Sequence, residues 1–180
     1  MSAPASPPAE HPRNADKPFF ACGPSDLGLF DTARVRLRFS QELPVTPDVL
    51  FDIFEDPTSW PRWAHGIGSV VWTSPKPYDI GTTRTVIFWG GMEVYEEFLT
   101  WERGREMAFV FYGTTQRVWS QFGEHYQVDD LGEGRCRVTW SVAYDPASVF
   151  ARIHFLVGWI MRWNLRSYLW RLRGYCRRYR

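Results

Sequence analysis

Three charged residues in strand-like segments are candidates for chemistry: Arg84, Glu97 and Glu124. Trp89-Gly90-Gly91-Met92 joins the strand-like stretches Gly81–Trp89 and Met92–Trp101, and two glycines suit a two-residue hairpin whose central residues need positive φ. That register sets Arg84 opposite Glu97 and Val86 opposite Tyr95, on one face with Leu99 and Trp101. The bulk of these neighbours points the face inward. An exposed cross-strand pair, contributing about 0–1 kcal/mol, is the competing reading. In the later strand, Phe122, Glu124, Tyr126 and Val128 share one face, so an apolar set carries one carboxylate inward. A carboxylate in such company must be paired, hydrogen-bonded or shifted in pKa. Arg84 or a tyrosine hydroxyl would satisfy it. So would a bound molecule, or a role in which Glu124 or Glu97 moves a proton while Arg84 steadies an enolate oxygen.

Other chemistries lack their residues. Cys22, Cys136 and Cys176 are odd in number and form no Cys-x-x-Cys pair, so neither a disulfide framework nor a zinc site is expected and a cytoplasmic location is the default. His65, His125 and His154 have no partner at metal-ligand spacing. There is no Ser-His-Asp signature, glycine-rich phosphate loop or cysteine nucleophile context. No metal and no cofactor are expected, which leaves binding, or acid/base work, in an apolar cavity.

The elements that would position these groups follow from periodicity. Arg34–Leu43 alternates as a half-buried strand. Thr46-Pro47-Asp48 supplies an N-cap, a proline at the first helical position and an early acid, and Asp56-Pro57 repeats the signal before a second short helix with Trp60 and Trp63. Six strands at hairpin spacing follow, between Ile67 and Tyr144. Pro146–Arg178 then reads as one long helix. Its front part, Val149–Met161, is apolar on nearly every side and must be gripped by something. A curved antiparallel sheet folded around that helix would enclose a cavity, with Trp140 and Val157 as apolar wall. Ten Trp, 13 Phe and 8 Tyr suit such an interior.

The ends differ from this body. Residues 1–26 hold six prolines and read as a disordered tail, with Phe19, Phe20, Leu27, Leu29 and Phe30 docking locally; residues 27–180 form one domain. No apolar run of signal-peptide length occurs near Met1, and none approaches the roughly 20 residues that span a bilayer. From Pro146 onward there are eight Arg and no acid, so the overall +1 leaves residues 1–145 a net −7. Residues 166–180 read as a basic extension overhanging the sheet, with Arg166, Arg173 and Arg177 near one stripe beside aromatics. Such a stripe suits peripheral contact with an anionic membrane. Neutralising the acidic body is an equal alternative, and nucleic acid fits less well for want of a recognition motif.

Taken together, Thr46-Pro47-Asp48-Val49-Leu50-Phe51-Asp52, Trp60-Pro61-Arg62-Trp63, Gly81-Thr82-Thr83-Arg84, Glu97-Phe98 with Trp101-Glu102, Phe122-Gly123-Glu124-His125-Tyr126 and Arg137-Val138-Thr139-Trp140 resemble the polyketide cyclase/dehydrase and lipid-transport superfamily (SRPBCC, START-related) over about residues 34–175. The resemblance implies an α+β helix-grip fold: about seven curved antiparallel strands around a long C-terminal helix, with two short helices after the first strand. It also implies an apolar cavity for a lipid, polyketide or other hydrophobic small molecule. Some members catalyse cyclisation or aromatisation and many only bind. The leading expectation is a binder or carrier with Arg84, Glu97, Glu124 and Tyr126 as polar anchors and Trp140 and Val157 as wall. A cyclase- or dehydratase-type enzyme is the rival, and a partner- or membrane-binding module acting through the basic helix end is the third reading.

Overall fold

The computed structural model describes residues 12–179, apart from the side chains of 148–150 and 152–157. Val157 therefore lies outside the described residues, as does residue 180. In chain order the elements are β1 (Phe20–Ala21), α1 (Leu29–Thr32), β2 (Val35–Leu43), α2 (Pro47–Glu55), α3 (Trp60–Trp63), β3 (Ile67–Trp72), β4 (Thr83–Phe88), β5 (Glu93–Glu102), β6 (Glu106–Thr114), β7 (Trp119–Gly132), β8 (Arg135–Pro146) and α4 (Ser148–Cys176). A curled antiparallel sheet runs in the order β2-β8-β7-β6-β5-β4-β3, with the two residues of β1 paired to β6. This is the helix-grip architecture. Thr46 caps α2 through its hydroxyl, which accepts from the Val49 N–H at 3.4 Å. Leu50, Phe51, Ile53 and Phe54 of α2 and Trp60 and Trp63 of α3 then close one end of the core.

The β4–β5 hairpin departs from the two-residue turn. Trp89, Gly90 and Gly91 all belong to the loop: the Phe88 N–H donates to the Met92 carbonyl at 2.8 Å and the Gly91 N–H to the Phe88 carbonyl at 2.9 Å. Both glycines have positive φ, 86° and 83°, as a left-handed turn requires. The partners are consequently Val86↔Val94 and Arg84↔Glu96. A slip of one residue exchanges the two faces of a strand, so β5 turns Val94, Glu96 and Phe98 inward with Arg84, and Glu97 outward.

Most side chains of the apolar run on α4 lie outside the described residues, and among the described ones the grip is seen further along the helix. Leu165, Leu169, Leu172 and Cys176 are buried in one stripe, with Tyr175 beside it, packed against β2, β8 and α3. By contrast Trp159, Ile160 and Trp163 are at least half exposed. Residues 166–176 are thus no overhang. The strands are long enough to accompany the helix, since β7 has 14 residues and β8 has 12. Fourteen residues at about 3.3 Å cover about 46 Å, against about 43 Å for a helix of 29 residues.

Part of the expected tail is described and is ordered. Residues 12–26 lie along the outer face of the sheet. The Cys22 N–H donates to the Tyr112 carbonyl at 3.1 Å and the Gly23 N–H to the Ser120 carbonyl at 2.7 Å, bridging β6 and β7 beyond their last pair, Val110↔Gly123. Phe19 rests on Gly113, where a Cβ would stand 2.1 Å from its ring. Residues 1–11 lie outside the described ones.

Candidate functional site

Between the inner face of the sheet and α4 lies a cavity of about 380 Å³, within the range of small-molecule sites. Its walls are mostly rings and aliphatic chains: Trp60, Phe109, Phe111 and Phe122 from α3, β6 and β7, and Ile160, Met161 and Leu165 from α4. Arg84, Glu96, Glu124 and Asn164 add charge or polarity. Arg84, Glu124, Tyr126 and Trp140 all line this space. Glu97 does not. It faces a groove on the other side of the sheet, beside Tyr112 and the segment around residues 12–25.

Strand β4 brings Arg84 to the cavity, and the side chain is 1% exposed. Its Nε donates to Glu96 Oε2 across the β4–β5 pair. Four rings surround the guanidinium: its Cζ is 4.3 Å from the ring centroid of Trp60, 4.6 Å from Phe109, 5.1 Å from Phe98 and 5.3 Å from Trp72. Aromatic faces attract a cation and offset part of its lost hydration. One donor is nevertheless left over, because Arg84 Nη1 is buried and has no hydrogen-bond partner. Glu96 has its carboxyl pushed up by burial, only partly countered by the charge and hydrogen bond of Arg84.

Glu124 comes from β7, paired with Val142 of β8. Its Oε2 accepts from the Tyr126 hydroxyl at 2.7 Å and from Trp140 Nε1 at 3.0 Å. Burial, reinforced by the charge of Glu96, raises its pKa to about 7 despite these two bonds and the opposing charge of Arg84. At neutral pH the group is therefore near half-protonated, able either to accept or to give a proton. Tyr126 is pushed well above the ordinary phenol range, by burial first and then by Glu124, and stays a donor. Its ring stacks on Trp140 with centroids 5.5 Å apart, and Trp140 stacks in turn on Tyr168 of α4 at 6.0 Å. The Tyr168 hydroxyl donates to the His65 carbonyl, tying the helix to the connection between α3 and β3.

Trp119, at the start of β7, supplies a second unmet donor: its Nε1 is buried without a partner and the residue lines the cavity. Sequence pattern singles out none of Glu96, Trp119 and Tyr168. For Glu96 the signal was present in the alternation Val94, Glu96, Phe98, which is the more uniformly apolar face once the glycine loop is given three residues. Among the described residues no cluster of His, Cys, Asp and Glu could hold a metal ion, and no helix is long and apolar enough to cross a membrane. His125 faces away from the cavity and meets Glu106 at 2.9 Å.

A half-barrel closed by a long helix over an apolar cavity with a few convergent polar groups defines a class of small-molecule-binding proteins. The chain belongs to the polyketide cyclase/dehydrase and lipid transport family, whose profile matches residues 34–177. It is 38% identical over 156 residues to uncharacterised proteins of Mycobacterium tuberculosis and Mycobacterium bovis, covering 87% of this chain and 93% of theirs. Among solved structures it is similar to the ZhuI aromatase/cyclase of Streptomyces sp. R1128, with a TM-score of 0.67 at 8% identity over 80% of this chain and 94% of that one. It is also similar to a START superfamily protein of Mycobacterium smegmatis, with a TM-score of 0.65 at 8% identity over 81% and 99%. At such identities the two structures attest the fold alone.

Proposed function

We propose that this protein binds a mostly apolar small molecule bearing at least one acceptor oxygen, held without covalent attachment between the sheet and α4. The observation that carries the reading is the buried Nη1 of Arg84, left without a hydrogen-bond partner on a side chain that lines the cavity. Leaving a buried donor unmet costs about 1–3 kcal/mol, and a carbonyl or phenol oxygen in the cavity would recover it. Trp119 Nε1 supports the same ligand chemistry from a second strand. A matched pair of probes tests this: 2-acetylnaphthalene, with its carbonyl, against 2-ethylnaphthalene, without it. The ketone should bind at least about tenfold more tightly, the equivalent of one recovered hydrogen bond, and Trp119→Phe or Arg84→Met should shrink that preference. Equal affinity for the two probes would sink the reading.

The second reading is catalysis, and the observation favouring it is the position of Glu124 near neutrality beside the charge of Arg84. Glu124 would move a proton at an activated carbon while Arg84 stabilises the oxygen that gains charge. Glu97, on the outer face, has no part in it. A rate profile with an inflection near neutral pH, abolished by Glu124→Gln, would select this reading over binding alone.

A further inference from the structure

We infer that the outward face of α4 is a docking surface for an anionic bilayer. Trp159, Trp163, Arg166, Trp170, Arg173 and Arg177 follow one another at alternating spacings of four and three residues, which places them on one face of the helix. That face points away from the stripe of Leu165, Leu169, Leu172 and Cys176 that holds the helix to the sheet. Trp159 is 70% exposed, Trp163 69% and Trp170 54%, and the three arginines are exposed as well. Large aromatics left in water in this way mark an interaction surface.

The choice of partner rests on charge and continuity. From Pro146 to the C-terminus there is no acidic residue, so tryptophans that seat at the headgroup level are interleaved with cations alone, an arrangement complementary to anionic lipid. Arg166 already lies over the Trp170 ring at 5.7 Å, and its long stem lets the guanidinium reach outward while the ring stays in place. A second copy of this chain would set the arginines of one face against the same arginines across a two-fold axis, an unfavourable match. A nucleic acid would find no recognition motif in the sequence. Ile160 is half exposed and also lines the cavity, so the helix that carries the surface also closes the cavity. Docking goes beyond the ligand-binding reading and does not depend on it.

Flotation of the full chain with vesicles of phosphatidylcholine alone, or of phosphatidylcholine mixed with phosphatidylglycerol, tests the inference. Binding should require the anionic lipid and weaken as salt is raised. Trp159→Ser/Trp163→Ser and Arg166→Glu/Arg173→Glu should each reduce it by at least about tenfold. Neither pair lines the cavity, so both variants should keep wild-type uptake of 2-acetylnaphthalene and an unchanged urea midpoint. Loss of vesicle binding with uptake intact is the expected outcome. Absent binding, equal binding to both vesicle types, or a self-association that Trp163→Ser abolishes would each overturn it, whatever the ligand test gives.

Discussion

Glu93 and Glu96 stand three residues apart on β5, both buried, at 5% and 4% exposure, and the pleat sends them to opposite faces of the sheet. On the outer face, burial alone would raise the Glu93 pKa, but hydrogen bonds from Lys17, Tyr95 and Asn14 outweigh it and the group is held below the ordinary carboxylate range. Lys17 Nζ is at 2.8 Å, the Tyr95 hydroxyl at 2.9 Å and Asn14 Nδ2 at 3.3 Å. On the inner face Glu96 has Arg84, burial prevails, and its carboxyl is raised. Glu124, across the cavity wall, is raised too. A carboxylate supplied with donors from three residues is finished as structure. Carboxylates kept short of donors beside an arginine with an unmet N–H are, under the binding reading, waiting for a guest.

The largest test of this contrast removes the inner cation. Arg84→Met leaves Glu96 buried without its counter-charge, which should cost about 3–5 kcal/mol of stability by urea unfolding at neutral pH. Adding Glu96→Gln should return most of that loss, because a neutral pair needs no compensation. A cost under about 1 kcal/mol for the single change would show that the inner pair is no more dependent on its partner than a surface one.

Glu124→Gln sharpens the same point through pH. An unfolded glutamate titrates near 4.3, and in the fold Glu124 titrates at about 7. Between these values the native state holds more protons than the unfolded state, so stability falls as pH rises through this window. The glutamine variant lacks that term. It should be more stable than the parent above pH 7 by on the order of 2–3 kcal/mol, and the two should converge towards pH 4. Urea midpoints across that range decide it, and parallel curves would place Glu124 in a solvated setting.

Much of this arrangement was legible beforehand, for reasons that differ by residue. Glu124 and Tyr126 were placed inward by strict alternation in a strand with no bulge between them, and the capping signal at Thr46-Pro47-Asp48 fixed where α2 begins. Arg84 was turned inward by the bulk of its neighbours. Its partner was missed because a run of two glycines does not reveal how many residues the loop takes, and one residue decides between Glu96 and Glu97. At the described end of the apolar run on α4, apolar content is not burial. Its tryptophans at 159 and 163 face out, while the buried stripe from Leu165 is diluted by arginines on the opposite side. The unmet donors of Arg84 and Trp119 exist only in three dimensions, since they depend on what does not approach them.

The smallest test lies on the outer face. Lys17 is 35% exposed at its side chain and also donates to the Gly91 carbonyl at 3.0 Å, so Lys17→Met should cost only about 0.2–1 kcal/mol. Tyr95 and Asn14 still bond Glu93 in that variant, which is why the loss stays small. Its pH dependence runs opposite to that of Glu124. A lowered carboxyl contributes stability above its unfolded pKa and loses it as pH falls through the folded one, so the difference between Lys17→Met and the parent should shrink below about pH 4. Were Lys17→Met as costly as Arg84→Met, the outer carboxylate would depend on its single cation as the inner one does. The distinction between the two faces would then have to be sought in something other than the number of donors.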